Sequence, residues 1–169
     1  MSGGIRHIVL IILVLAAGVT PAAAGADVPM GYRLMCLEHP EECQAGGTSA
    51  VVLTDEIAAT LDTINSKVNR AITPREDEGV DIWSIDASAG DCEDYVLAKR
   101  HALIASGLPP SALRIAYVKT PAQEGHAILV VKTDGSDLVL DNLSNTVRSL
   151  SESGYRILSM SGPDPLVWS

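Results

Sequence analysis

The sequence predicts an α+β domain, on three observations. Stretch 54–72 carries an N-cap and an amphipathic repeat, stretch 92–107 carries helix start and stop signals, and both lie ahead of a β-rich region. From Leu113 onward the apolar pattern changes to short runs of alternating or continuous β-formers. Between two of those runs stands Asp134-Gly135, a strong short-range hairpin signal.

The chain has 169 residues, and positions 1–24 read as a signal peptide: Arg6, an apolar run from Ile8 to Ala17, then Ala22-Ala23-Ala24 before a cleavage site after Ala24 or Ala26. An uncleaved anchor is the alternative, but the apolar run falls short of the roughly 20 residues that span a bilayer. The expected mature chain, 27–169, is long enough for one domain with its own core and would be periplasmic. Its surface is acidic, since the whole chain carries a net charge of -9 and the leader holds only the basic Arg6. No basic patch is visible to meet phosphates, so nucleic acid is an unsuitable partner. There is no Phe, and Leu, Ile, Val and Ala must build the core.

Met30 to Leu37 reads as a helical turn ended by His39-Pro40, with a loop at Ala45–Ser49. From Thr54 as N-cap, Ile57, Leu61, Ile64 and Val68 recur at steps of four, three and four, which makes 54–72 an amphipathic helix with one buried stripe. Thr73 to Gly79 is expected to be a charged loop. Trp83 suits a cleft wall or a core position equally well.

The next helix opens on Gly90-Asp91-Cys92-Glu93-Asp94-Tyr95, with Asp91 as N-cap, and stops at Gly107 as C′ with Pro109 beyond. A thiol in a first helical turn faces unpaired N–H groups and the positive end of the helix dipole, which favour the thiolate. Asp91, Glu93 and Asp94 oppose that charge, so a cation or an imidazolium is expected nearby. Leu113–Lys119 is a strand. His126–Lys132 and Asp137–Asn142 flank the Asp134-Gly135 turn as a hairpin, and Tyr155–Met160 can add another strand.

Three cysteines in an exported chain leave one over. Cys36 and Cys43 are the natural disulfide pair, with two unpaired thiols as the alternative, and Cys92 is then free. A two-residue turn at Asp134-Gly135 sets Asp141 opposite Ile128 and Leu143 opposite His126. His126 and Asp141 then share a face as diagonal neighbours, roughly 7–8 Å apart at the backbone. A thiol, an imidazole to take its proton and a carboxylate to hold the imidazole's tautomer are the parts of a nucleophilic triad, and Cys92, His126 and Asp141 supply them. His101, nine residues past Cys92, is about 13 Å along the helix and on roughly its opposite side, a structural histidine rather than the base. His39 has no case.

Gly90-Asp91-Cys92-Glu93-Asp94-Tyr95, Lys99-Arg100, His126-Ala127-Ile128-Leu129 and Leu140-Asp141-Asn142-Leu143 together resemble the bacterial transglutaminase-like cysteine peptidases of the papain-like superfamily, over about Asp55 to Leu143. The resemblance implies a nucleophile-bearing helix packed on an antiparallel sheet and a Cys92, His126, Asp141 triad. It also implies calcium near the nucleophile, with Asp91 and Glu93 at the acidic positions. These are hard oxygen ligands, though two fall short of the usual six to eight. The expected function is a periplasmic cysteine endopeptidase. The expected partners are a protein substrate, of the cell-surface adhesin kind in the branch the resemblance suggests, and a membrane-bound regulator. Two other readings stay open: a transglutaminase-type acyl transferase using the same triad, and a non-catalytic binding module of the same fold.

Overall fold

A computed structural model describes residues 25–169; the expected leader, 1–24, lies outside them. Among the described residues no helix is long and apolar enough to cross a membrane. The chain begins with α1 (Met30–Glu38), a full nine-residue helix rather than a turn, followed by a short 3-10 turn at Pro40–Cys43. A Cys36–Cys43 disulfide ties the two together.

Helix α2 (Asp55–Ala71) has the predicted N-cap: the Thr54 hydroxyl accepts from the Ile57 amide at 3.2 Å. Leu61 and Val68 of its apolar stripe are buried, and Ile57 and Ile64 are half-buried against them. Helix α3 (Cys92–Ala105) ends as expected. Gly107 takes φ +96°, its amide bonds to Ile104 O, and Leu108 N reaches back to Leu103 O, a Schellman closure that needs glycine at this backbone angle. At its start the reading needs correcting. Asp91 occupies the N-cap position but its carboxylate makes no cap. Asp94, three residues on, reaches back instead and takes the Asp91 amide, while its Oδ1 accepts from Ser84 N at 2.7 Å.

The charged segment after α2 is not wholly a loop. Thr73–Pro74 (β1) pairs in parallel with Ala89–Gly90 (β2), and Arg75 N continues the ladder to Gly90 O at 2.9 Å. Two residues of pairing give no sequence signal, yet they bring 75–81 alongside the start of α3.

Strands β3 (Leu113–Lys119), β4 (Gly125–Val131), β5 (Leu138–Asp141), β6 (Ser144–Ser149) and β7 (Arg156–Met160) form one antiparallel sheet in the order β6-β5-β4-β3-β7. Leu129 faces Leu140 and Val130 faces Val139, the register that the Asp134-Gly135 turn requires. Strand β6, polar and half-exposed, was not expected; it pairs back on β5 through the tight turn at Asn142-Leu143. Strand β4 lies near the middle and is buried from His126 to Val131. Helix α3 packs on it from one side, where Leu97, Leu103, Ile115, Leu129 and Leu140 join one core. On the other face Ile128, Val130 and Val139 are covered by Leu150, Tyr155 and Met160. Trp83 belongs to the core: it is 4% exposed and packs with Tyr32 and Tyr117, while Trp168 from the tail closes the same aromatic cluster.

Candidate active site

Cys92 opens α3 at N1, where the first amides of the helix have no carbonyl behind them. It is the free cysteine of the three. Its neighbour Gly90 cannot carry a side chain, since a Cβ there would stand 1.8 Å from Asp94 Oδ2, the carboxylate that caps the helix. The Cys92 Sγ lies against the sheet, accepting from the Ala127 amide at 3.3 Å, so the residue after His126 anchors the thiol.

His126 and Asp141 meet as the hairpin register predicts. Nε2 of His126 is 2.8 Å from Asp141 Oδ1, and a carboxylate can only accept, so Nε2 carries the proton. Nδ1 is then the nitrogen left for another partner. Asp141 is held on every side: Leu143 N donates to Oδ1 at 3.0 Å, and the Tyr155 phenol donates to Oδ2. Its backbone is fixed from α2, where Asn65 Oδ1 takes the Asp141 amide at 3.1 Å and Asn69 Nδ2 donates to its carbonyl at 2.9 Å. Burial alone would raise the Asp141 pKa; the hydrogen bonds from His126, Tyr155 and Leu143 outweigh it and hold the carboxyl below its usual range. The group is therefore a carboxylate aimed at an imidazole.

The three predicted residues sit together. Cys92 and His126 line one open cleft of about 420 Å³ with Tyr117, Gly125 and the acidic side chains Glu76, Asp77, Asp81, Asp91 and Glu93; Asp141 backs His126 from within, only 2% exposed. His101 lies elsewhere, its Nδ1 on the carboxylate of Glu42, as its helical position requires.

The expected metal pair divides. Asp91 joins Asp77 and Asp81, whose carboxylate oxygens lie within 4.8 Å of one another. Neither Asp77 nor Asp81 was singled out from the sequence, because only the β1–β2 pairing brings their loop to Asp91. Burial first, and Glu93 second, push the Asp91 carboxyl up to about 7, so it is a site where negative charge is in excess. A hard dication fits this donor set. Glu93 stands outside the trio, accepting the Cys92 thiol proton on Oε2 at 2.9 Å. That contact reverses the helix-end expectation for the thiol. Burial and then the Glu93 carboxylate push the Cys92 thiol up, and the Ala127 amide pulls it only part of the way back.

An antiparallel sheet carrying a histidine–carboxylate pair, with a thiol at the mouth of the helix packed on it, defines a transglutaminase-like thiol fold. The model of the bacterial transglutaminase-like cysteine proteinase family, BTLCP, matches residues 22–169, and the chain belongs to that family. Among solved structures it is similar to Legionella pneumophila LapG. An EGTA-treated form shows 25% identity and a TM-score of 0.56, with 62% of each chain covered. A calcium-bound form shows 24% identity and a TM-score of 0.55, covering 62% of this chain and 64% of that one, a likeness of fold. A third LapG structure stands at 25% identity and a TM-score of 0.56, covering 62% of this chain and 63% of that one. The chain thus spans less than two thirds of the length of these structures. No curated protein matches it.

Proposed function

We propose that this protein is a cysteine endopeptidase with Cys92 as nucleophile, His126 as general base and Asp141 as the residue that fixes the imidazole. The observation that carries it is the buried His126–Asp141 hydrogen bond beside a free thiol in one open cleft. His126 Nδ1 takes the thiol proton once the S–H turns from Glu93 Oε2, and the Ala127 amide stays on the sulfur as charge develops. The sulfur adds to a peptide carbonyl carbon, and the developing oxyanion is within the reach expected of the Cys92 amide at the helix end. The C–N bond breaks, the amine leaves with the proton from His126, and a thioester remains. Water, deprotonated by His126, then cleaves the thioester, giving a carboxylic acid and the restored thiol.

Asp77, Asp81 and Asp91 are the residues that would hold calcium, and LapG in a calcium-bound form supports that choice of ion. Bound there, it would offset the negative charge of the cleft. The signal-peptide reading of 1–24 supports action in the periplasm, on a periplasmic or cell-surface protein, with an adhesin and a membrane-bound regulator as the proposed partners.

The test is to incubate envelope proteins with the purified mature chain or with Cys92→Ala and to sequence the new N-termini. Termini that appear only with the intact thiol establish endopeptidase action. Cross-linked products instead would establish acyl transfer. With neither, and with Cys92 alkylation by iodoacetamide unaffected by His126→Ala, the chain is a binding module.

A further inference from the structure

Beyond the motif that carries the triad, two side chains from the last third of the chain reach the same carboxylate. Asp141 Oδ1 is used by His126 Nε2 and Leu143 N, which leaves Oδ2 free to swing unless something holds it. Two groups do so: the Tyr155 phenol, which donates to Oδ2, and Arg148, whose Nη2 stands 3.9 Å from the same atom. The Tyr155 ring also meets the His126 ring edge-on, at 5.9 Å between centroids and 63° between planes. Arg148 in turn lies over the Tyr155 ring at 5.6 Å. Tyr155 therefore touches both halves of the His126–Asp141 pair and is itself clamped from outside.

We propose that Tyr155 is a positioning residue of this site: its hydroxyl, held in place by Arg148, locks the Asp141 carboxylate on the Nε2–H of His126 and so keeps Nδ1 free for the Cys92 thiol. The proposal rests on the peptidase reading above for its functional meaning, but the lock itself is a statement about His126 and Asp141 alone. Chemistry supports the donor role. Burial first, then the hydrogen bond to Asp141, push the Tyr155 phenol up to about 12, so it keeps its proton wherever Asp141 is ionised. The backbone also places it deliberately: Gly154 takes φ +73°, and Tyr155 N is tied to Ser153 Oγ at 3.1 Å, which turns the ring inward just before β7. The ring also packs on the apolar face of Ile128, Val130 and Val139, but that packing has no use for the hydroxyl, which goes to Asp141.

Tyr155→Phe separates the two roles, since it keeps the ring and removes only the oxygen. Two readouts on the mature protein in calcium buffer decide. The first is the nitrogen-15 spectrum of His126, which reports the share of the imidazole protonated on Nε2. The second is the rate of Cys92 alkylation by iodoacetamide at one fixed pH, beside His126→Ala. A hydrogen bond to a charged group corresponds to about a ten- to hundredfold effect. Tyr155→Phe is therefore expected to mix the His126 tautomers and to slow alkylation by about tenfold in a protein that is still folded, its urea unfolding midpoint lowered but well above zero urea. Arg148→Met, at a half-exposed position, should shift both readouts in the same direction by a smaller factor. Wild-type spectra in both variants overturn the lock. Wild-type alkylation in Tyr155→Phe while His126→Ala is slow overturns its functional part alone. Wild-type alkylation in His126→Ala overturns the peptidase reading, and the nitrogen spectrum still decides the lock.

Discussion

Nε2 of His126 rests 2.8 Å from Oδ1 of Asp141, two residues fifteen apart in sequence that the hairpin register alone brings to one face. Asp141→Asn keeps the shape and removes the charge. The new side chain must place its amide group against either His126 Nε2–H or the Tyr155 and Leu143 donors, so one set of bonds is lost and the imidazole tautomer is no longer fixed. We expect peptide hydrolysis to fall by roughly a thousandfold or more. An Asp141→Asn enzyme within tenfold of wild type would show that this carboxylate does not orient the base.

Asn65 of α2 is wholly buried and spends both ends of its amide on the β5–β6 turn: Oδ1 on the Asp141 amide, Nδ2 on the Ser144 carbonyl at 2.9 Å. Asn65→Ala leaves the buried Asp141 amide without its partner, while the Ser144 carbonyl keeps Asn69 Nδ2 at 3.1 Å. The expected loss is about 1–3 kcal/mol of stability, read from urea unfolding, together with slower Cys92 alkylation because Asp141 moves with its backbone. A loss of stability with unchanged alkylation would confine Asn65 to the fold.

Gly90 illustrates a constraint of space rather than of backbone angle. Its missing Cβ would lie 1.8 Å from Asp94 Oδ2 and 2.7 Å from Cγ, too deep for the carboxylate to yield at its tip alone. Gly90→Ala should cost about 2–4 kcal/mol by expelling Asp94 from the helix start and from Ser84. In a double-mutant cycle, Gly90→Ala combined with Asp94→Ala should cost less than the sum of the two single changes, since the clash then has no partner. Additive costs would mean that the glycine is needed for another reason.

What the sequence reveals here depends on how local each signal is. The Thr54 cap, the Gly107 closure and the α3 start are written within a few residues of where they act, and each is legible. The His126–Asp141 pairing is non-local but follows from one turn and the two-residue period of strands, so parity suffices. Asp77, Asp81, Asn65, Asn69 and Tyr155 reach the site through the β1–β2 ribbon, the docking of α2 and the bend before β7. No spacing rule links those positions to Cys92, and their residue types alone are ordinary surface choices. Glu93 stands between two roles: its place in the motif suggests an ion ligand, and its carboxylate meets both the Cys92 thiol and the Asp91 carboxyl.

Calcium should stabilise the mature chain through Asp77, Asp81 and Asp91. Binding to the folded state alone contributes RT ln(1 + [L]/Kd), about 2.7 kcal/mol at one hundred times Kd. For a domain of this size that raises the melting temperature by roughly 5–10 °C over the EGTA-treated sample. Asp77→Asn with Asp81→Asn should abolish the shift, whereas Glu93→Gln should preserve it. A shift abolished by Glu93→Gln would return Glu93 to the ligand set.

Lys99 gives the fold a pH dependence with a defined sign. It is fully buried on α3, and its Nζ has no hydrogen-bond partner among the described residues. Burial, working against the attraction of Asp141, lowers its pKa from 10.5 to about 7. Between those values the unfolded chain holds a proton that the folded chain has released, so the unfolded state binds more protons and stability rises with pH. The buried lysine thus imposes a penalty that is complete below about pH 7 and fades as pH approaches 10.5. Lys99→Met removes it while filling a similar volume. The variant should be more stable than wild type at pH 7 by on the order of a few kcal/mol, and the gap should narrow steadily toward pH 9.5. Urea midpoints for both proteins at the two pH values measure this directly. A gap that stays constant, or a variant less stable at pH 7, would mean that Lys99 remains an ammonium in the fold and that its attraction to Asp141 outweighs its burial.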